Sequence, residues 1–436
     1  MTDRGEGPDR DRGAEDWVAG IAATTITITP NHAVDIAGLG SPAPVSSGID
    51  DPLDCTILVI NTPGSDPLML VALDLLYPGG PLRDRLERAL AQWLPAENLL
   101  VFSSHTHAGP ATDPTKPLLG RVSPHYLKSL TEQVLDAATS TLGQSRQDAA
   151  CKVFTTKCEL AVNRRERAPI NVSRSGLRFG VEVTGSDPDG PVDPAIITAV
   201  LTNTDSGEPL AVVWNYACHP VGYPDSTRVT AHFPGVVRSR LREYFASPDL
   251  PVLFIQGFSG DLRPRATSTM RPSARKGLRW LITPGYNRFT PQDYGRWTTQ
   301  LGDLVIGSLA TVGTAVTGTG YSSARFRLDR TEFVTGSASS AAVTFASTTI
   351  GDDLRIVGVS AEPVMAYADW VRSRSRQRFV MLGGCMDDVF GYAPVARMLG
   401  QGAYEDRGFC PSFSCNSVSP GVEQAMHIGF TKVIGQ

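Results

Sequence analysis

Short runs of β-branched and apolar residues, each closed by a proline, a glycine or an Asp/Asn turn, constrain this chain more than any other feature. Residues 17–29 (WVAGIAATTITIT) end at Pro30, and the apolar runs 55–61 and 68–76 flank a Pro-Gly-Ser-Asp turn. Such runs suit strands and leave little uninterrupted sequence for a helical bundle, which 42 glycines and 32 prolines in 436 residues also disfavour. A hairpin is expected over 195–218, turned at Asp205-Ser206-Gly207, and another over 341–359, turned at Gly351-Asp352-Asp353. Residues 99–103 and 252–256 read as further strands. A few helices interleave with them. Leu82, Leu86, Ala89, Leu90 and Trp93 recur at helical spacing across 80–94. Ser123 and Pro124 open a second helix with Tyr126, Leu127, Leu130, Val134 and Leu142 on its apolar face, and Gly143 stops it. Residues 233–245 and 291–312 are two more. Neither a repeat nor a Gly/Ser linker divides the chain. The expected fold class is mixed α and β: a single large domain over 16–436, its strand-rich sheets covered by helices, after a disordered lead-in at 1–15.

Forty basic and 44 acidic side chains leave a formal charge of −4, which provides no footprint for nucleic acid or an anionic membrane. No apolar run reaches the ~18–20 residues of a membrane helix. The opening MTDRGEGPDRDRGAEDW is charged and lacks the apolar stretch of a secretory signal. Seven cysteines, an odd number with no C-x-x-C pair, then predict reduced thiols in a cytoplasmic protein, with Cys410 and Cys415 free rather than bridged. The expected partner is a small molecule met in solution.

Only seven histidines occur, and His105, His107 and His219 directly follow predicted strands, where an open α/β sheet places its ligands. His-x-His on an extended segment puts both imidazoles on one face, so one can take a metal while the other reaches the substrate. Alone, the pair reads equally as hydrogen-bonded loop histidines. Its context, Ser103-Ser104-His105-Thr106-His107-Ala108-Gly109-Pro110, resembles the HTH-SGP signature of the neutral/alkaline ceramidases and their shorter relatives. The resemblance recurs in order along nearly the whole chain. Gly20–Pro30 is similar to the opening strand, Asn163-Arg164-Arg165 to the Asn-Arg motif, and Asn215–Pro220 (NYACHP) to the second histidine strand. Ala231–Gly235 (AHFPG) resembles a loop that in relatives usually carries Asp where His232 stands, and Gln256–Pro264 (QGFSGDLRP) resembles the Gly-Asp loop. Ser360-Ala361-Glu362-Pro363, Gly391-Tyr392-Ala393-Pro394 and Ala403-Tyr404-Glu405 complete the series.

The resemblance implies a zinc ion held by His105, His219, Glu362 and Tyr392, with His107, Arg164 and Tyr404 facing the substrate as catalytic residues. Nitrogen and oxygen donors of this kind suit zinc and leave a position for water or a carbonyl. Read without it, Tyr392 is equally a core aromatic, Glu362 a buried carboxylate paired to an arginine, and Arg164 a surface charge in the run NRRER. Facing a substrate, the fork of Arg164 would hold a carboxylate or a developing oxyanion. His232 reads as a supporting residue, and Asp74 and Asp261 as candidates to orient a metal-bound histidine. His32, His125 and His427 carry no role.

Two departures shape the functional expectation. Ceramidases proper place a nucleophilic serine after Gly-Asp, where this sequence has Arg263; Ser259 lies upstream and out of register. Those enzymes also continue into a C-terminal immunoglobulin-like domain, for which the chain leaves no room. The resemblance therefore implies the fold and the metal more than it implies ceramide. Arg263 and Arg265, followed by Arg271, Arg275, Lys276 and Arg279, make 263–279 basic, so the expected substrate is polar and anionic and is bound by Arg263 and Arg265. The expected activity is zinc-dependent hydrolysis of an amide (N-acyl) bond by metal-activated water, without a serine nucleophile. Run in reverse, the same site would form amides or esters as an acyltransferase. A non-catalytic binding protein on this scaffold is the reading from another class. Occupation of all six matching positions (His105, His219, Glu362, Tyr392, Arg164 and Tyr404) favours the enzyme.

Overall fold

The computed structural model describes residues 15–173, 176–266, 289–337, 339 and 341–435. The expected lead-in, apart from Glu15, and the basic positions Arg271, Arg275, Lys276 and Arg279 lie outside the described residues. The described residues form a mixed α and β fold in which two sheets face one another and helices cover their outer surfaces. The larger sheet has eight strands in the order Val252–Gln256, Pro209–Tyr216, Ala195–Asn203, Gln147–Lys157, Val18–Thr27, Asp54–Asn61, Leu68–Leu73 and Leu99–Ser103, with Thr314–Ala315 added beside Gln147–Lys157. Only the outermost pair at each end is parallel. The smaller sheet runs Tyr321–Leu328, Val343–Ile350, Leu354–Val359, Phe379–Gly383.

Alternation along the strands divides the side chains between layers. In Asp54–Asn61, Leu58 and Ile60 join the core between the sheets, with Phe102, Ile255, Ile356 and Met381. Ile57 and Val59 point the other way, into Leu82 and Leu86 of the helix Gly80–Leu90 and Leu130 and Val134 of the helix Pro124–Gly143. The second helix begins as its sequence predicts: the Ser123 hydroxyl accepts the Tyr126 N–H. The far surface of the smaller sheet packs Phe345 and Val357 against Tyr367 and Phe430, from the helices Ala366–Arg372 and Val422–Ile434.

The edge strands Leu99–Ser103 and Val252–Gln256 lie against each other, so the larger sheet curls round until its ends meet. The loop after Ser103 thereby comes beside the loop after Tyr216. That closure brings His105 to His219, 114 residues away in sequence. All seven cysteines are free and buried. Among the described residues no helix is long and apolar enough to cross a membrane.

Candidate metal centre and cavity

Three strand ends converge at the closure. His105 and His107 follow Leu99–Ser103, His219 follows Pro209–Tyr216, and Glu362 opens the two-residue strand Glu362–Pro363, which pairs in parallel with Tyr392–Ala393. Each histidine gives its Nδ1–H to a backbone carbonyl: His105 to Leu76 (3.1 Å), His107 to Gly38 (3.1 Å) and His219 to Ser259 (3.0 Å). In the neutral tautomer that such a contact selects, each Nε2 carries the lone pair that a metal would take. The Nε2 atoms of His105 and His219 are 2.9 Å apart, and Glu362 Oε2 lies 3.2 and 3.5 Å from them. Two lone pairs and a buried carboxylate oxygen at such range repel one another unless a proton or a metal cation sits between them, and three converging donors suit a metal. Glu362 Oε2 has no other partner. His105, His107 and His219 also each offer an atom within 4.8 Å of the others, so this group can hold a metal ion with either Glu362 or His107 as the third donor.

The electrostatics suit a cation. Burial, then repulsion from His105, Arg164 and His107, pushes the His219 imidazole well below its usual range, and burial and His105 bring His107 down to about 3. Burial works to raise the Glu362 carboxyl, but attraction to His105 and hydrogen bonds from Tyr392 and Tyr77 outweigh it and bring it down to about 2. Neutral His219 and His107 beside an ionised Glu362 are the protonation states a divalent metal requires of such residues. His105 also holds φ at +65°, a left-handed conformation rare for a side chain other than glycine, which aims its ring across the gap.

Sequence reasoning missed Tyr77. Its buried hydroxyl donates to Glu362 Oε1, the oxygen turned away from the histidines, and its ring lies 5.3 Å from His105. Leu76 O orients His105, so two successive residues position two of the converging donors. Tyr77→Phe is expected to keep the fold and weaken binding of a divalent metal about 10–100-fold, the usual cost of an outer partner; chelator competition measures it. Unchanged affinity would remove Tyr77 from the site.

Asp74 and Asp261, expected to orient a histidine, do not touch one. Asp74 accepts from the Asp54 N–H and from Arg238, and Asp261 accepts the Met365 N–H (2.7 Å) and Asn163 Nδ2 (3.2 Å). Backbone carbonyls orient the histidines instead. Asp261 still matters, because it ties the Asn163–Arg164 segment to the Glu362 segment; burial pushes its carboxyl up to about 6.

Arg164 sits in the strand Ala161–Ser173 at a register shift between Asn163 and Arg165, and such a bulge re-aims a side chain. Its Nε donates to Glu405 Oε1 (2.7 Å), while Nη2 is buried with no hydrogen-bond partner. The guanidinium lies 5.3 Å from the Tyr392 ring and 5.7 Å from the Tyr404 ring. Arg164 is therefore not a solvated charge of NRRER. A cavity of ≈ 370 Å³ opens over this constellation, lined by His107, Arg164, Arg263 and His232 together with Leu39, Tyr223 and Phe289. The buried His107 Nε2, which also lacks a partner, belongs to this lining. Arg265 stands outside it and gives Nε to Ala161 O at 3.4 Å.

A scan of family models and a search of curated proteins return no match. Solved structures do match. A ceramidase complexed with C2 is 13% identical, with a TM-score of 0.73 over 95% of this chain and 74% of that one. The neutral ceramidase from Pseudomonas aeruginosa is also 13% identical, with a TM-score of 0.73 over 96% of this chain and 74% of its own. At such identity the likeness is one of fold.

Proposed function

From a neutral ceramidase-like fold carrying two bare imidazole nitrogens against a buried carboxylate, we propose that this chain is a zinc-dependent amidohydrolase that cleaves an N-acyl bond in a small polar substrate. The observation that carries the reading is the convergence of His105 Nε2, His219 Nε2 and Glu362 Oε2 beside a cavity whose wall presents two unpartnered polar atoms. His105, His219 and Glu362 are the ligands, with Tyr392 adjoining as the fourth; the donor set is that of a catalytic zinc site. Bound there, zinc would polarise the amide carbonyl and make water acidic enough to attack near neutral pH.

The residues of the chain supply the rest. Arg164 offers Nη2 to the oxygen on which negative charge develops, and Glu405 and Tyr392 hold the guanidinium for that purpose. His107, kept neutral by burial, presents Nε2 to accept a proton from the attacking water. Burial disfavours the resulting imidazolium, which drives the proton onward to the leaving amine. Tyr404 packs edge-on to Tyr392 at 5.3 Å and steadies the phenol beside Glu362.

The test is amine release from a panel of N-acyl compounds by protein stripped of metal and reloaded with zinc. Hydrolysis that vanishes on stripping and returns with zinc supports the reading. Hydrolysis indifferent to stripping, or none from the zinc-loaded protein, would overturn it.

No serine acyl-enzyme is expected. Ser259 Oγ is engaged by Gln256 Nε2 at 2.5 Å, and the part of Ser259 that serves the site is its carbonyl, which alanine also has. Ser259→Ala is therefore expected to stay within about threefold of the parent rate, a surface-like effect on the ordinary mutational scale. An inactive Ser259→Ala with zinc fully bound would reverse the assignment.

A further inference from the structure

The cavity has polar groups that the hydrolysis just described does not use. Arg263 and His232 line it and are both buried, 5% and 2% exposed. Arg263 is delivered by the strand Leu262–Pro264, which pairs antiparallel with Ala161–Asn163 and sets Arg263 opposite Val162, two positions from Arg164. His232 begins the helix His232–Tyr244 at φ +58°, left-handed like His105.

That conformation is clamped from outside the cavity. Asp51 accepts the Thr230 hydroxyl and the Ala231 N–H (2.7 Å), and Thr230 Oγ1 accepts the His232 N–H at 2.9 Å. Thr106, between the two site histidines, donates its hydroxyl to Thr230 O (2.9 Å). The ring of His232 is boxed by Tyr223 at 5.4 Å and Tyr294 at 6.0 Å, with the Tyr294 hydroxyl 3.5 Å from Nδ1. A strained residue held by four neighbours is a placed residue. The rest of the described lining is largely apolar, and its one carboxylate among the described residues, the exposed Asp225, accepts the Thr227 N–H and hydroxyl.

An apolar chamber of this volume with a guanidinium at each of two places accommodates a small molecule that bears an anion, and a planar fork matches a carboxylate with two parallel hydrogen bonds. We propose that Arg263, which shares the cavity wall with His232, is a subsite for a carboxylate carried by the substrate, so that the compounds cleaved are small N-acyl compounds with a free carboxylate. The proposal rests on the amidohydrolase reading, but its test separates the two.

Binding of N-benzoylglycine and of its neutral amide, N-benzoylglycinamide, to the metal-stripped protein is measured by calorimetry, beside hydrolysis of both by the zinc-loaded protein. The acid should bind at least about tenfold tighter than the amide, a preference of the size expected for a charge-assisted contact. Arg263→Ala should weaken the acid about tenfold or more and the amide several-fold less. His232→Asp, which places a negative charge on the same chamber, should weaken the acid selectively, and it carries the test if Arg263→Ala fails to fold. Equal binding of acid and amide by the parent protein, or equal losses of both in the variants, would overturn the subsite while leaving amide hydrolysis intact. Selective binding of the acid without hydrolysis of either compound would support the subsite and count against the amidohydrolase reading.

Discussion

Glu362→Ala is expected to lose stoichiometric zinc and to lower amide hydrolysis by more than about 10³-fold, since both the zinc and the electrostatic work done at its site go with it. The carboxylate is 3% exposed and, among the described residues, is the only negative charge against the two Nε2 atoms. Without it, two lone pairs 2.9 Å apart face each other with nothing to balance a divalent ion. The substitution also strands the Tyr77 hydroxyl, an unsatisfied buried group costing about 1–3 kcal/mol. Glu362→Gln separates the two effects: it keeps an acceptor for Tyr77 and removes the charge. Its stability should stay near that of the parent while its zinc content falls as in Glu362→Ala. His105→Ala should behave like Glu362→Ala in zinc content. Full zinc occupancy in these variants, measured by elemental analysis after gel filtration, would remove the metal centre from this position.

Gly260→Ala should damage the centre without touching any of the converging donors. A Cβ there would lie 2.6 Å from Glu362 O and 2.9 Å from Pro363 O, and neither atom can rotate away. The loop must retreat, breaking the bond from Gly260 N–H to Pro363 O (2.8 Å). On one side of Gly260, Ser259 O orients His219; on the other, Asp261 holds the Met365 N–H. One methyl group therefore disturbs both walls of the centre. We expect a stability loss of about 1–3 kcal/mol in urea unfolding, as for overpacking elsewhere, with zinc affinity down about 10–100-fold. Parent-like affinity in a folded Gly260→Ala would show that the 259–261 loop does not position His219.

Much of this site was legible because its donors sit at strand ends. His105, His107 and His219 follow runs whose β pattern is plain, and the observed strands Leu99–Ser103 and Val252–Gln256 have the predicted limits. What could not be read is what depends on the closed sheet. Tyr77 follows an apolar run without any motif, and its acceptor lies 285 residues away. The groups that orient the histidines are carbonyls of Leu76, Gly38 and Ser259, which no side-chain pattern marks. The run NRRER reads as a solvated stretch by charge, yet tertiary partners made it a strand, with Arg164 and Arg165 both clasping Glu405. The helix Val422–Ile434 was hidden by Gly429, a poor helix former kept where a Cβ would meet the Phe345 ring at 2.3 Å.

The central claim is that His105, His219 and Glu362 bind one zinc ion beside the cavity. Anomalous diffraction at the zinc edge, from crystals grown with zinc, tests it most directly. The account predicts one strong peak per chain within bonding distance of His105 Nε2, His219 Nε2 and Glu362. A zinc-saturated crystal with no peak there, or with its peak elsewhere, would contradict it.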